Sequence, residues 1–225
     1  TLPTAPQPPE ALQGFRERNG LGDARLLLSV GRLAERKGLR EFVRESLPGI
    51  VREAPDVRLV VIGDAPADSL LVGEQTRDSI QAEADAAGIG ECLRFLGRVE
   101  EDQLLAAYQT AHVLVFPVRD IPGNPEGFGM VAIEAAVHGL PTVAFATGGI
   151  VDAVAEGRSG RLIQSGDYQG FGQAIVDLLQ DTDRWHATAL QFAQRFSWPI
   201  TGDRLAHALG VGRKTPADDA GDKAA

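Results

Sequence analysis

The sequence predicts an α/β protein, with a Rossmann-like, doubly wound parallel sheet of about six strands. Short, nearly continuous apolar runs recur along the chain, as expected of parallel strands covered on both faces. Segments with helical periodicity alternate with these runs, which indicates right-handed βαβ units. The chain has 225 residues, 44% of them hydrophobic, which is enough for one well-buried core.

Each strand is predicted from an apolar run that ends at a glycine, a proline or a polar residue. The predicted strands are 25–30, 57–62, 92–96, 112–116, 141–145 and the short 161–163. Cys92, the only cysteine, begins the third and is expected to be a buried, inert thiol.

The helices are predicted from apolar residues at helical spacing and from stop signals such as Gly20 and Gly139-Leu140-Pro141. Pro48 should kink or divide the helix that begins at Leu39. The predicted helices are 10–19, 39–51, 74–87, 100–110, 128–138, 150–155, 167–180, 183–196 and 199–209.

The organisation predicted from these elements is a single domain with short flanking segments. Residues 1–20 are expected to be a proline-containing linker and a short helix, and 21–197 the Rossmann-like domain. Residues 198–211 are expected to form a further helix, and the small, polar residues 212–225 a disordered tail.

Charge and composition exclude several classes of partner. A formal charge of −9 argues against nucleic acid as the main partner. No apolar stretch is long enough for a membrane span and no signal peptide is visible, so we expect a cytoplasmic protein. No spacing of His, Cys or Asp residues is typical of a metal site, and we predict neither a metal nor a cofactor.

Two carboxylates, Glu126 and Glu134, stand eight positions apart around the start of a predicted helix. Glu126 precedes that helix, whereas Glu134 lies inside an otherwise apolar stretch, where a carboxylate needs a partner. Sugar or ribose hydroxyls would be suitable partners. The backbone N–H groups of residues 127–130 (Gly127, Phe128, Gly129 and Met130) lie at the helix N-terminus and form a potential anion site.

A basic segment follows the first predicted strand. Gly31 ends that strand, and Arg32, Arg36, Lys37 and Arg40 follow with only Glu35 opposing them. Ligands of α/β proteins bind at the carboxyl ends of strands, so this segment predicts a small anionic ligand. Arg32 and Lys37 are suited to a diphosphate, because an arginine can fork onto phosphate oxygens and a lysine acts as a point charge.

Several segments resemble the retaining glycosyltransferases of family 4, whose GT-B architecture consists of two facing Rossmann-like domains. They cover roughly residues 25–200 and occur in the order found in that family. They are Ser29-Val30-Gly31-Arg32-Leu33, Arg36-Lys37-Gly38, Val61-Ile62-Gly63-Asp64, Phe95-Leu96-Gly97-Arg98-Val99, Glu126 to Glu134 (the E-x7-E motif) and Thr147-Gly148-Gly149-Ile150.

The resemblance implies the C-terminal half of such an enzyme, which binds a nucleotide diphosphate sugar. It implies a catalytic role for Glu126, facing the donor sugar, and for Arg32 and Lys37, on the diphosphate. Glu134 is the implied ribose ligand. The implied donor-binding residues also include Gly31, Gly63, Val99, Gly127, Phe128, Gly129 and Met130, with the backbone near Val99 facing the base. A separate N-terminal domain is expected to bind the acceptor, and residues 198–211 are expected to cross back to it.

The sequence also allows other interpretations. Arg32 and Lys37 could pair with Glu35 or Glu41, and Glu134 with an arginine. Asp64 could border the nucleotide or cap the next segment. The chain could also be a nucleotide-sugar epimerase on the same architecture, or a non-catalytic module for nucleotide binding or assembly.

The loop before Glu126 is longer than is common in the family. It carries Arg119, which could bind an acidic donor or acceptor, or could simply pair with Asp120. Donor preference is therefore not predicted from this loop.

Overall fold

The computed structural model of the protein describes residues 6–65, 75–123 and 127–196. These residues form one parallel sheet of six strands, in the order β3-β2-β1-β4-β5-β6. The strands are β1 (Arg25–Val30), β2 (Val57–Ile62), β3 (Leu93–Gly97), β4 (Val113–Phe116), β5 (Thr142–Phe145) and β6 (Gly160–Ile163).

Helices cover both faces of this sheet. They are α1 (Pro9–Arg18), α2 (Leu39–Glu45), α3 (Leu47–Glu53), α4 (Arg77–Ala86), α5 (Glu101–Thr110), α6 (Met130–Val137), α7 (Ile150–Ala153), α8 (Tyr168–Leu179) and α9 (Thr182–Ala193). Short 3-10 turns occupy Glu35–Lys37, Gly90–Cys92 and Gln194–Phe196.

Alternate side chains along each strand point into two separate cores. In β1, Leu27 points into a core shared with α2, α3, α4 and α8. Its neighbours Leu26 and Leu28 point into the opposite core, shared with α1, α5, α6 and α7. All three leucines are at most 1% exposed. Burial on both faces explains the continuous apolar runs in the sequence.

The predicted α/β architecture is confirmed, and most boundaries agree to within one or two residues. Pro48 does divide the predicted helix, because α2 ends before Ser46 and α3 begins with Pro48 in its first turn. Cys92 is buried as predicted, although it closes the 3-10 turn before β3 and does not begin the strand. The predicted helix 199–209 and the tail 212–225 lie outside the described residues.

None of the helices in the described part of the chain has the length and hydrophobicity that a membrane span requires.

The carboxyl ends of β1 and β2 approach each other closely at Gly31 and Gly63. The Gly31 N–H donates to the Ile62 carbonyl at 2.9 Å, and the Gly63 N–H donates to the Gly97 carbonyl at 2.8 Å. Gly63 has a φ of +123°, and a Cβ placed on it would lie 2.0 Å from the Gly31 carbonyl oxygen. Only glycine satisfies both the backbone angle and this contact.

We therefore expect Gly63→Ala to lower the free energy of unfolding by about 3 kcal/mol or more. Two effects combine in this variant: the strain of an alanine at a positive φ and the clash of its Cβ with the Gly31 carbonyl oxygen. Gly88→Ala is the matched variant for strain alone: its φ is +70° but nothing lies within 4 Å of an added Cβ. It should cost about 1–2 kcal/mol. Gly49→Ala, inside α3, should be neutral or stabilising by up to about 1 kcal/mol. Urea denaturation of the three variants tests this order, and an equal loss in Gly63→Ala and Gly88→Ala would contradict it.

Candidate functional site

The candidate site lies at the switch point of the sheet. From central β1 the chain goes outward to β2 and β3, then returns to β4 on the other side and continues to β5 and β6. The loops after β1 and β4 therefore diverge and leave a crevice at the carboxyl edge, where ligands of doubly wound sheets bind. Residues of both loops line it, including Gly31, Arg32, Lys37, Phe116 and Pro117.

Lys37 lies at the end of the 3-10 turn that follows β1. Its ammonium nitrogen is 5.1 Å from the centre of the Phe116 ring, a cation–π contact with the last residue of β4. Partial burial, together with the smaller effect of the charges of Arg36 and Arg32, lowers the pKa of Lys37 to about 8. A bound anion would reverse this effect, so the turn is electrostatically suited to one.

Arg32, by contrast, has an exposed side chain beside the same crevice. The sequence left open that Arg32 and Lys37 serve only to pair with Glu35 or Glu41. The structure gives both of these glutamates another partner, Arg119, whose Nη1 lies 3.1 Å from Glu35 Oε1 and 3.0 Å from Glu41 Oε1.

Arg119 thus joins the loop after β4 to the turn that carries Lys37. Its backbone N–H also donates to the Arg36 carbonyl at 2.9 Å. Glu41 is held from the other side by the side chain of buried Gln75, whose Nε2 donates to Oε2 at 2.6 Å. Pairing of Arg119 with Asp120, one of the two interpretations from the sequence, is wrong; the arginine fixes the basic turn.

Helix α6 begins at Met130, two residues later than predicted. Gly129 is its N-cap, with a φ of +77°, so Gly127 and Phe128 belong to the segment before the helix. Glycine has no side chain with which to cap the first N–H groups of α6, and the N-terminus of a helix favours an anion. Phe128 is 39% and Met130 51% exposed.

The segment 127–129, which precedes α6, contacts the loop after β5. A Cβ on Gly149 would lie 1.9 Å from the Gly127 carbonyl oxygen, so the two backbones are in direct contact. No side chain fits at position 149 without moving this backbone. On the other side, the Phe128 ring meets Phe196 edge-on, with centroids 6.3 Å apart.

Glu134 lies one helical turn into α6, about 6 Å from Met130 along the axis. Helical side chains lean toward the N-terminus, so its carboxylate leans toward the carboxyl edge of the sheet. Its partner is not an arginine: the Tyr108 hydroxyl on α5 donates to Glu134 Oε2 at 2.9 Å. Sequence reasoning missed Tyr108, although a tyrosine among the alanines of a buried helix face signals a hydroxyl that needs a partner.

The ends of β2 and β3 complete this edge. The Asp64 carbonyl accepts from the Leu33 N–H at 3.2 Å, which ties the loop after β2 to the loop after β1. The Asp64 carboxylate accepts from the Ala65 N–H at 3.1 Å. Val99 follows β3, is half-buried, and packs against the core that contains α5 and α6.

The predicted site residues with described positions therefore gather at one edge, although their roles remain predictions. They are Gly31, Arg32, Lys37, Gly63, Val99, Gly127, Phe128, Gly129, Met130 and Glu134. Glu126 lies outside the described residues, so its predicted role cannot be compared with a position. No group of three or more His, Cys, Asp or Glu side chains within the described ranges is arranged to hold a metal ion.

Two histidines, His112 and His138, make contacts that support the fold. His112 Nδ1 accepts from the Leu26 N–H at 3.0 Å. The His138 ring stacks on Tyr108 with centroids 5.6 Å apart and an angle of 15°. Burial lowers the pKa of both imidazoles, which favours their neutral forms.

Comparison with known proteins places this fold in a family. The model of the family described as Glycosyl transferases group 1 matches residues 24–181. The GDP-mannose-dependent alpha-(1-6)-phosphatidylinositol monomannoside mannosyltransferase of Mycolicibacterium smegmatis is 32% identical over 214 residues, covering 92% of this chain and 53% of that protein. A D-inositol 3-phosphate glycosyltransferase of Corynebacterium urealyticum is 34% identical over 195 residues, covering 84% and 44%.

Solved structures agree in fold. The crystal structure of Anabaena Alr3699/HepE in complex with UDP superposes with a TM-score of 0.76 at 22% identity, covering 91% of this chain and 53% of that one. The C-terminal domain of the group 1 protein LpcC from Francisella tularensis superposes with a TM-score of 0.67 at 18% identity, covering 84% of this chain and 92% of that domain.

The chain spans about half the length of the curated relatives it matches. Its six-stranded sheet corresponds to one of the two Rossmann-like halves of a GT-B enzyme, which confirms the fold predicted from the sequence. Given the extent of the family match and the identity to these relatives, the chain belongs to the Glycosyl transferases group 1 family.

Proposed function

We propose that this chain is the donor-binding, catalytic half of a retaining glycosyltransferase that transfers a hexose from a nucleotide diphosphate sugar. One observation carries the proposal: Arg32 and Lys37 lie at the same edge of the sheet as the N-terminus of α6, the helix that carries Glu134. A nucleotide whose diphosphate lay between these two cations and the N-terminus of α6 would have its ribose directed toward Glu134.

The diphosphate would be bound by charge from two sides. Arg32 and Lys37 would approach it from the loop after β1, and the first N–H groups of α6 from the other side of the crevice. Cleavage of the sugar–phosphate bond develops negative charge on the leaving phosphate. Fixed positive charge at that point stabilises the transition state more than the ground state, which is the largest contribution these residues can make.

The sugar and ribose would be held by the carboxylates. Glu134 would accept hydrogen bonds from the ribose hydroxyls, and Glu126 would face the donor sugar and stabilise its developing positive charge. In a same-face substitution the leaving phosphate takes the acceptor proton, so this half need not supply a general base. The relatives named above are glycosyltransferases and none is an epimerase, so the proposal is a transfer reaction.

The acceptor would be bound by a second domain. The chain aligns with about half of each curated relative, and the GT-B cleft is formed between two halves. The two relatives named above carry GDP-mannose or inositol in their names, and the Anabaena structure contains UDP. GDP and UDP donors and inositol-containing acceptors are therefore the first to test. We expect the chain alone to transfer little sugar.

Nucleotide binding tests the donor site. Calorimetric titration of the chain with UDP, GDP and ADP should detect binding of at least one. Arg32→Ala should weaken that binding by about 1.5–3 kcal/mol, roughly 10- to 100-fold, because it removes a charge-assisted hydrogen bond. Glu134→Ala should cause a loss of similar size, whereas Arg52→Ala, at an exposed position of α3, is the matched control and should change nothing. Absence of binding to all three nucleotides at millimolar concentration would contradict the proposal.

The lowered pKa of Lys37 predicts a protonation signature of binding. With a pKa of about 8, roughly half of the Lys37 side chains are neutral at pH 8, and a bound diphosphate favours the charged form. Binding of UDP-glucose or GDP-mannose at pH 8 should therefore take up about half a proton, and affinity should fall as the pH rises further. The binding enthalpy in two buffers of different ionisation enthalpy measures this uptake.

Lys37→Arg is the control for that measurement, because a guanidinium stays charged throughout this range. Its binding enthalpy should not depend on the buffer. Buffer-independent enthalpies in the unmodified protein at pH 8 would count against contact between Lys37 and the diphosphate.

A further inference from the structure

Tyr108 is a buried tyrosine with a single polar contact among the described residues. It is 3% exposed, its ring belongs to the core between α5 and α6, and its hydroxyl donates to Glu134 Oε2 at 2.9 Å. The hydrogen bond joins α5 to α6. It is also the hydrogen bond that orients the carboxylate proposed to bind ribose.

We propose that Tyr108 is the positioning residue for Glu134, holding its carboxylate so that the ribose 2′- and 3′-hydroxyls are recognised and 2′-deoxyribonucleotides are disfavoured. The inference rests on the proposed function, because it assigns Tyr108 a task in the same donor site. Tyr108 acts through Glu134 and is not itself placed against the nucleotide.

The chemistry of the pair supports this role. An ionised carboxylate has about four acceptor positions, of which the Tyr108 hydroxyl takes one on Oε2. Oε1 accepts no hydrogen bond from the described residues, so it remains able to accept from a diol. A glutamate side chain loses about 1.5–2 kcal/mol of rotamer entropy when it is fixed, and Tyr108 fixes it before the ligand arrives.

The neighbours of Tyr108 hold its ring in place and keep its hydroxyl protonated. His138 stacks on the ring at 5.6 Å, and Gln109 Nε2 lies 3.4 Å from His138 Nδ1, so the imidazole is itself held in place. Burial, and then the charge of Glu134, raise the pKa of Tyr108, so its hydroxyl stays protonated and can only donate to the carboxylate. His138, whose pKa is lowered by burial, brings no competing cation.

A purely structural role makes a different prediction. If the hydrogen bond to Glu134 served only to pair the buried hydroxyl of Tyr108, removing the hydroxyl would weaken the fold. It would then change the affinities for ribonucleotides and deoxyribonucleotides by the same factor. The ratio of these two affinities therefore separates positioning from stabilisation.

The experiment measures dissociation constants for UDP and dUDP, and for GDP and dGDP, by calorimetry. The variants are Tyr108→Phe, Glu134→Ala and Tyr168→Phe, and circular dichroism verifies that each is folded. Tyr168→Phe is the matched control, because it deletes the hydroxyl of the chain's other tyrosine, on α8.

The unmodified protein should prefer the ribonucleotide by about tenfold, the value of one hydrogen bond to a charged group. Tyr108→Phe should reduce that preference several-fold while leaving the affinity for the deoxyribonucleotide nearly unchanged. Glu134→Ala should abolish the preference, and Tyr168→Phe should retain it.

The outcomes distinguish this inference from the proposed function. A preference that Glu134→Ala abolishes and Tyr108→Phe leaves intact would overturn the inference and leave the donor site standing. No nucleotide binding by the unmodified protein would overturn both. If Tyr108→Phe does not fold, Glu134→Asp replaces it: one methylene shorter, its carboxylate cannot reach Tyr108 and the ribose together, and full retention of the preference would overturn the inference.

Discussion

The pairing of β1 on both sides is the constraint on which the rest of the structure depends. β1 pairs with β2 along its whole length and with β4 over Leu27 and Leu28. Because both neighbours are parallel to it, three strands end at the same edge and their loops must leave in different directions. Burial of β1 on both faces fixes its register, since a shift by one residue would exchange the two cores.

This pairing determines where charge can accumulate. The loop after β1 carries Arg32, Arg36 and Lys37, and the loop after β4 lies close enough to hold it in place. Arg119 does so through Glu35 and Glu41 and through a backbone hydrogen bond, while Phe116 contacts the ammonium of Lys37. Glu35 and Glu41, the two acidic residues near the basic turn, are therefore both bound by an arginine outside that turn.

The sequence predicted the sheet well and the side-chain pairing poorly, for physical reasons. Strands buried on both faces leave a continuous apolar run, so all six were visible locally. The start of α6 was misplaced because Phe128 fits the apolar periodicity, and nothing local shows that Gly129 adopts a left-handed conformation.

Partners distant in sequence could not be predicted from local patterns. Arg119 is separated from Glu35 by 84 residues and from Glu41 by 78, so no local spacing relates them. Tyr108 and Glu134 lie on separate helices, 26 residues apart. Their meeting follows from the packing of α5 beside α6 on one face of the sheet, which the sequence alone leaves unspecified. The cations, the glycines and Glu134 could be named as candidate site residues because each belongs to a short motif that is visible in the sequence alone.

The most direct test of the account is a crystal structure of the chain grown with the nucleoside diphosphate that it binds. We expect the diphosphate in the crevice between β1 and β4, with Arg32 and Lys37 on one side and the N–H groups of Met130 and Val131 on the other. The ribose hydroxyls should lie within hydrogen-bonding distance of Glu134 while Tyr108 still donates to its other oxygen. A nucleotide bound elsewhere, or bound here with its ribose away from Glu134, would contradict the account.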